Sequence, residues 1–344
     1  MNASDSYSSP TMAEALLEVR GLSISFRGAT RWLPAVDGLD IDLARGQTLG
    51  LVGESGCGKS VTALSLLGLL PHGTARVEGS IRLSGQELTG LDERGWRAVR
   101  GRRVAMVFQD PMTALNPLLT VEAQISEVLR LHRGLSGKAA REEAAAWLDR
   151  VGIPDPISRL KSHPHELSGG MRQRVLIAMS LCARPEILLA DEPTTALDVT
   201  IQAQILELLA DLQRELGMAM IFITHDLGVV ERVADRICVM YAGKVVEEGP
   251  SGQILSNPCH PYTQGLLGAV PGFRPRTGRL TAIPGRVPPP GSWPEGCRFH
   301  PRCSHAVPAC AATLPPLSPR PDGCACACLR QDELPPWAST EGGL

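Results

Sequence analysis

The chain has 344 residues, a formal net charge of −2 and an aromatic content of 4%. This length allows one large domain or two, and a near-neutral charge with few aromatic rings argues against binding of nucleic acid. Residues 1–10 are polar and Ser-rich, without the basic start and apolar core of a secretory signal. No apolar run approaches the roughly 18 residues of a membrane span. We therefore expect a cytosolic protein that reaches a membrane only through partners.

The hydropathy pattern predicts a leader followed by alternating strands and helices. Residues 1–15 are expected to be a disordered leader, and apolar alternation predicts antiparallel strands at 16–26 and 36–43. The other predicted elements are buried strands at 48–52, 104–109, 187–191 and 219–224, a strand at 80–85, helices within about 120–183 and at 199–216, and two strands around a turn at 236–249. Buried strands that alternate with helices indicate an α/β fold with a mostly parallel sheet.

A glycine-rich loop follows the strand predicted at 48–52 and leads into a helix. It has the spacing Gly-x-x-x-x-Gly-Lys-Ser of a phosphate-binding loop in its strand–loop–helix context. The glycines allow backbone N–H groups to turn toward phosphate oxygens at a helix N-terminus. Lys59 is predicted to reach the β- and γ-phosphates and Ser60 to ligate Mg²⁺. The predicted nucleotide-binding residues here are Gly53, Glu54, Ser55, Gly56, Cys57, Gly58, Lys59, Ser60 and Val61.

Polar residues also stand at the carboxyl ends of three other predicted strands: Gln109, Asp191 and His225. Ligands of parallel sheets bind at this edge, so these residues and the glycine-rich loop are expected to form one site. Asp191 and Glu192 follow an apolar run in the Walker B pattern. Asp191 is predicted to hold Mg²⁺ opposite Ser60, and Glu192 to polarise a water that attacks the γ-phosphate.

Residues 167–173 (LSGGMRQ) form a second predicted anion-binding turn at a helix N-terminus. Together with the phosphate-binding loop and the Walker B pair, this stretch resembles the signature motif of the nucleotide-binding subunits of ATP-binding cassette (ABC) transporters. The resemblance implies that Ser168, Gly169 and Gly170 bind the γ-phosphate of an ATP held by an opposite subunit.

The fold implied is α/β, that of a P-loop NTPase with a RecA-like, mostly parallel core sheet, an antiparallel β subdomain and a helical subdomain. The domain organisation expected is an ABC ATPase domain over 16–256, with the helical subdomain at about 112–184, and a Cys-rich C-terminal extension over 257–344.

The resemblance also implies roles for single residues. Gln109 is similar to the Q-loop glutamine that senses Mg²⁺ and the attacking water, and His225 to the switch histidine at the γ-phosphate. Asp198 ends a D-loop (196–198) that crosses the dimer interface. Phe26 stands where the family places an aromatic ring on adenine, although it also suits a strand core and Trp32 is nearby. The implied catalytic residues are Glu192, His225 and Gln109, and the implied Mg²⁺ ligands are Ser60, Gln109 and Asp191.

A finer resemblance, at 109–117, 165–174, 191–200 and 260–263, is to the ATPases of oligopeptide, dipeptide and nickel importers, and to their first (D-type) ATPase. It implies an ATPase on the cytoplasmic face of the inner membrane that powers peptide uptake. The implied partners are two multi-span permease subunits, a substrate-binding protein and a paralogous ATPase, although a homodimer is open. The alternatives are a nickel or other small-solute importer, an exporter, or a soluble ABC ATPase acting on DNA or ribosomes.

Six of the ten cysteines lie between 297 and 328, and in a reducing compartment such a cluster favours a metal site over disulfides. No Cys-x-x-Cys pair supports a zinc ribbon, whereas four thiolates suit a [4Fe–4S] cluster. Residues 296–303 resemble the C-terminal extension of peptide importers, some of which hold such a cluster. The implied ligands are Cys297, Cys303, Cys310 and Cys328. Cys324 or Cys326 as fourth ligand, zinc with His300 or His305, and free thiols are the alternatives.

Overall fold

The structure is a computed structural model that describes residues 15–195, 197–270, 273, 283–334 and 337. The leader expected at 1–15 lies outside the described residues, apart from Ala15. The strands are β1 (Ala15–Arg27), β2 (Trp32–Ala44), β3 (Thr48–Val52), β4 (Ala75–Leu83), β5 (Gln86–Glu87), β6 (Val104–Val107), β7 (Ile187–Asp191), β8 (Ala219–Thr224), β9 (Arg236–Tyr241), β10 (Lys244–Pro250), β11 (Ser318–Pro319) and β12 (Ala325–Cys326). The helices are α1 (Lys59–Leu66), α2 (Glu93–Val99), α3 (Pro111–Ala114), α4 (Val121–Arg133), α5 (Gly137–Arg150), α6 (Pro156–Arg159), α7 (Gly169–Leu181), α8 (Val199–Leu216), α9 (Leu227–Val230), α10 (Ser251–Ser256), α11 (Pro261–Ala269) and α12 (Pro308–Ala312).

The first sheet has four antiparallel strands in the order β2-β1-β4-β5. The alternation expected for its first two strands is confirmed. Val19 and Ile24 are buried and pair with Ile41 and Val36 across the sheet. Their apolar face packs against Leu66 of α1 in one hydrophobic cluster. This sheet therefore covers the helix that follows the phosphate-binding loop.

The second sheet has eight strands in the order β11-β12-β10-β9-β3-β8-β7-β6. The strands β9, β3, β8, β7 and β6 are parallel. All residues of β3, β7 and β8 are buried, as a parallel sheet covered on both faces requires and as their continuous apolar runs predict. The strand β6 ends two residues earlier than expected, because its pairing with β7 stops at Val107, and Phe108 and Gln109 lie exposed beyond it.

Helices α4, α5 and α7 form the predicted helical region around Trp147, which is fully buried. Gly134 ends α4 in a left-handed conformation with φ 67°, and Gly152 follows α5 with φ 71°. Glycine adopts this conformation without the steric cost of a Cβ atom. The breaks expected at these glycines are confirmed. None of the helices in the described part of the chain is long and apolar enough to cross a bilayer.

The described residues beyond 257 fold onto the edge of the large sheet. The strand β12 pairs with β10, and β11 pairs with β12. Tyr262 of α11 and Phe299 pack edge-on against Tyr241 of β9, with ring centroids 4.7 and 5.2 Å apart. Such aromatic pairs add to the energy of apolar burial. The C-terminal segment thus shares a hydrophobic core with β9 and β10.

A buried carboxyl group joins this segment to β10. Glu247 is 1% exposed and accepts backbone N–H bonds from Cys259 at 2.6 Å and His260 at 3.0 Å. Burial raises the pKa of Glu247 to about 7, although the hydrogen bonds from Cys259 and His260 favour the ionised form. Glu247 therefore holds its proton in the folded chain at pH values where the unfolded chain has lost it.

This shift predicts a pH dependence of stability. The contribution of Glu247 is fully present below its ordinary pKa of 4.5 and is lost as pH rises through about 7. We expect the free energy of unfolding of the parent to fall, relative to that of Glu247→Gln, by up to about 3 kcal/mol between pH 4.5 and 8. Chemical denaturation across this range measures it, with the exposed Glu127→Gln as control. Parallel profiles of parent and Glu247→Gln would contradict the assignment.

Candidate functional site

The glycine-rich loop lies between β3 and α1 and is shaped by close backbone packing. A Cβ atom on Gly53 would lie 2.3 Å from the carbonyl oxygen of Met240, so only glycine fits there. Gly58 caps α1 with φ 113°, a conformation that side chains disfavour. The Lys59 ammonium donates to the carbonyl oxygens of Gly53 at 2.6 Å and Glu54 at 3.1 Å. The loop thus surrounds its lysine, as a phosphate-binding loop should.

Two of the three predicted Mg²⁺ ligands, Ser60 at the start of α1 and Asp191 at the end of β7, lie side by side, whereas Gln109 bonds to Glu192. The Ser60 hydroxyl donates to Asp191 Oδ1 at 3.2 Å. Burial raises the pKa of Asp191, and the hydrogen bond from Ser60 partly offsets this effect. Hydroxyl and carboxylate oxygens are the ligands that Mg²⁺ prefers. Ser60 and Asp191 therefore fit a shared Mg²⁺ ion, which would neutralise phosphate charge there.

Glu192 is the centre of a hydrogen-bonded cluster that includes both other predicted catalytic residues. Gln109 Nε2 donates to Glu192 Oε2 at 3.0 Å, and His225 Nδ1 lies 3.1 Å from Oε1. Thr195 also donates to Oε2, at 2.9 Å. Burial alone would raise the pKa of Glu192, but the hydrogen bonds from His225 and Thr195 and the charge of Lys59 lower it overall. The carboxylate is therefore ionised and oriented, as a general base must be.

The predicted signature and D-loop residues lie at helix N-termini. The Ser168 hydroxyl accepts the N–H of Met171 at 3.3 Å and caps α7, with Gly169 and Gly170 in its first turn. Asp198 caps α8 by accepting the N–H of Ile201 at 3.0 Å; Ala196 of the D-loop lies outside the described residues. In the described part of the chain, no hydrogen bond joins Ser168 or Asp198 to the phosphate-binding loop.

The two aromatic candidates for adenine differ in burial. Phe26 is half-buried in β1, pairs with Leu33 and Ala75, and packs against the core of the antiparallel sheet. Trp32 is 41% exposed at the start of β2. Both therefore lie on the sheet that covers α1, and the stacking of Phe26 on adenine stays a prediction.

Four of the cysteines line one small cavity: Cys297, Cys303, Cys310 and Cys328. Cys326, an alternative fourth ligand, instead forms a disulfide with Cys259, so the expectation of a metal site rather than disulfides is wrong at this pair. The reason is local: β12 places Cys326 opposite Glu247, whose carboxyl group accepts the N–H of Cys259. Cys324 packs against Gly249 and does not line the cavity.

Histidines complete the cavity wall. His260, His300 and His305 line it together with the four thiols. Even so, no group of three or more His, Cys, Asp or Glu side chains within the described ranges is arranged to hold a metal ion. The expected iron–sulfur cluster is therefore not supported by the positions of these side chains, although the set of donors suits one.

Comparisons with known proteins identify the family. A family model described as ABC transporter matches residues 36–195, and one described as oligopeptide/dipeptide transporter, C-terminal region, matches residues 246–310. A Brucella abortus protein with the provisional name of peptide import ATP-binding protein is 54% identical over 303 residues, which are 88% of this chain and 91% of that protein. A Brucella melitensis protein with the same provisional name is 50% identical over 333 residues, 93% and 98% of the two chains. The chain belongs to the ABC transporter family.

Solved structures agree with the fold of this ABC ATPase. The ATP-binding cassette MJ0796, as a dimer in a post-hydrolysis state bound to ADP and Pi, is 28% identical with a TM-score of 0.61, covering 68% of this chain and 98% of that one. The protein cbiO1 from Clostridium perfringens, part of the ABC transporter complex cbiONQ, is 28% identical with a TM-score of 0.60, covering 70% and 90%. The predicted P-loop NTPase fold and ATPase activity are thereby confirmed.

Three contacts of the ABC ATPase site were missed by the sequence interpretation. Thr195 donates a hydrogen bond to Glu192. It lies in the 191–200 stretch that resembles the importer ATPases, three residues after Glu192, so this spacing could have indicated the contact. Tyr262 and Arg302 bond to Glu54 across 208 and 248 residues of sequence. No spacing rule reaches that far, so these two contacts had no sequence signal.

The Glu192 cluster predicts the effect of removing the base. Glu192→Gln keeps the side-chain shape but cannot accept a proton, so we expect ATP turnover to fall by about 10²–10⁴-fold. Nucleotide binding should persist and closed dimers should accumulate with ATP. Phosphate release, binding of a fluorescent ATP analogue and gel filtration measure the three properties. Thr195→Val, which removes one hydrogen bond and leaves the carboxylate, should lose much less activity. Normal turnover in Glu192→Gln would refute the assignment of Glu192.

Proposed function

We propose that this chain is the ATP-hydrolysing subunit of an importer that carries di- and oligopeptides across the cytoplasmic membrane. One observation carries the proposal: relatives named as peptide import ATP-binding proteins are about half identical to this chain over 88% and 93% of its length. The oligopeptide/dipeptide transporter C-terminal region at 246–310 adds to this, because it lies outside the part matched by the general ABC transporter model. Peptide import thus agrees with both parts of the chain.

In the proposed mechanism, two ATP molecules lie between two ATPase subunits. Each site combines the cluster of one subunit with Ser168, Gly169 and Gly170 of the other, whose backbone N–H groups at the start of α7 suit a γ-phosphate. The residues from the first subunit are Lys59, Ser60, Gln109, Asp191, Glu192 and His225. Catalysis then consists of positioning and charge neutralisation, without a covalent intermediate. A paralogous ATPase is proposed as the second subunit.

The proposed attachment to the membrane subunits is the helical region at about 112–184 of the ATPase domain (16–256). Met112 and Leu118, which follow Gln109, are 59% and 83% exposed. A group of exposed apolar side chains, rather than a single one, marks a site of protein contact. Because Gln109 is bonded to Glu192, movement of this segment would reach the catalytic carboxylate directly. The proposed location is therefore peripheral, on the cytoplasmic face.

The substrate proposal is tested on the assembled transporter. We expect the chain, expressed with its membrane subunits, to be purified with two multi-span proteins and a paralogous ATPase. In proteoliposomes, a peptide-loaded binding protein should stimulate ATP hydrolysis and drive peptide uptake. Stimulation by nickel salts alone would instead favour a metal importer, and purification with ribosomes or DNA would favour a soluble ABC ATPase. The Glu192→Gln complex provides the inactive control.

A second proposal concerns the C-terminal extension (257–344). We propose that Cys297, Cys303, Cys310 and Cys328 hold a [4Fe–4S] cluster. Four thiols around one cavity provide the Cys₄ set that such clusters require. Burial raises the pKa of Cys297, Cys303 and Cys328, so binding of a cluster would have to displace the protons of these thiols. Zinc with His300 or His305 is the alternative occupant.

Two matched serine substitutions test the cluster. Protein purified without oxygen should be brown and contain about four iron and four sulfide per chain. Cys328→Ser should lose most of the iron, whereas Cys324→Ser, outside the cavity, should retain it. Iron and sulfide assays with visible absorption measure the outcome. Colourless, iron-free protein after anaerobic reconstitution would refute the cluster, and stoichiometric zinc would establish the alternative.

A further inference from the structure

Two side chains from the C-terminal extension hold Glu54, the second residue of the phosphate-binding loop. The Arg302 guanidinium donates to both carboxylate oxygens of Glu54, at 2.6 and 3.0 Å. The Tyr262 hydroxyl accepts the backbone N–H of Glu54 at 2.8 Å. One contact thus fixes the side chain and the other the main chain of the same loop residue.

Arg302 is held rigidly. Its side chain is 6% exposed and lies over the rings of Tyr241 and Phe299, at 5.7 and 6.0 Å from their centroids. Its Nε donates to the carbonyl oxygen of Pro284 at 2.7 Å. A bidentate arginine–carboxylate pair fixes geometry as well as charge. This ion pair is therefore far better ordered than a pair on an open surface.

Tyr262 is equally constrained. It is fully buried in α11, and its ring packs against Tyr241 and Phe299 with centroids 4.7 and 5.4 Å away. Its hydroxyl can reach Glu54 only because the C-terminal extension lies on the large sheet. The position of the loop backbone at Glu54 therefore depends on the docking of the extension.

The contact matters for ATP because Glu54 precedes the N–H groups that bind phosphate. The carbonyl oxygen of Glu54 also accepts from the Lys59 ammonium, at 3.1 Å. Without Arg302, the loop would carry an uncompensated carboxylate near a bound triphosphate, and like charges repel. With Arg302 in place, this charge is paired and turned toward the extension.

We propose that Arg302 and Tyr262 are positioning residues of the ATP site, so that the phosphate-binding loop binds ATP fully only while the C-terminal extension is docked on it. The extension thereby supports the catalytic domain through one loop residue. This inference depends on ATP binding at the loop and not on which solute the importer carries.

A double-mutant cycle between Glu54 and Arg302 tests the proposal on the full-length chain. We expect Arg302→Gln to raise the KM and the Kd for MgATP about tenfold, within the range of coupled charge pairs, with kcat changed less than about twofold. A raised KM with a nearly unchanged kcat indicates the loss of an interaction that stabilises bound ATP and the transition state equally. In the Glu54→Gln background, where no carboxylate remains unpaired, Arg302→Gln should cost at most about a further twofold. Arg302→Lys, which keeps the charge but not the bidentate geometry, should be intermediate.

Two further variants separate positioning from general stability. Tyr262→Phe removes only the hydroxyl and keeps the ring packing, and it should raise KM for MgATP about threefold. Arg320→Gln breaks an ion pair with Asp322 inside the extension and should leave KM unchanged. The proposal is overturned if Arg302→Gln and Tyr262→Phe leave KM unchanged, if the Glu54 and Arg302 effects on KM are additive, or if Arg320→Gln raises KM equally.

Discussion

The parallel pairing of β3 with β8, and of β8 with β7, is the constraint on which the rest of this ABC ATPase depends. Its register sets Val52 beside Thr224 and Asp191 beside Ile223, so the three strands end nearly level. The phosphate-binding loop, the Walker B pair and His225 therefore leave the sheet at one edge. The hydrogen bond between Ser60 and Asp191 is a direct result, although 131 residues separate them in sequence.

The C-terminal extension is attached to the same sheet at its lateral edge, next to β10. It adds β11 and β12 beyond β10, and its aromatic residues pack on Tyr241 of β9. Arg302, which bonds to Glu54, directly precedes Cys303, one of the four thiols of the cavity. Two consecutive residues, Arg302 and Cys303, therefore connect the ATP site to the cysteine cavity, although the two sites belong to different parts of the chain.

The elements best predicted from sequence were the strands buried on both faces and the amphipathic helix α8. The bounds of β3, β7, β8 and α8 agree with the sequence prediction, because a continuous apolar run or a clear amphipathic period ends where burial ends. The end of β6 was missed, because it depends on where β7 stops pairing and not on the apolar side chain of Phe108. The strands β11 and β12 have two residues each, too few for any period to appear.

The sequence by itself determined the chemistry of the ATP site: a loop that surrounds phosphate, a carboxylate pair and a polar residue at each neighbouring strand end. These motifs can be recognised in the sequence because the residues of each motif lie in one turn or at one strand end, where their spacing fixes their geometry. Only the tertiary structure decided which individual side chains contact one another. In the tertiary structure, Cys328 and not Cys324 lines the cavity. Gln109 and His225 both bond to Glu192, and Arg302 bonds to Glu54. Packing across the sheet sets such contacts, and a contact between two distant segments leaves no periodic signal along the chain.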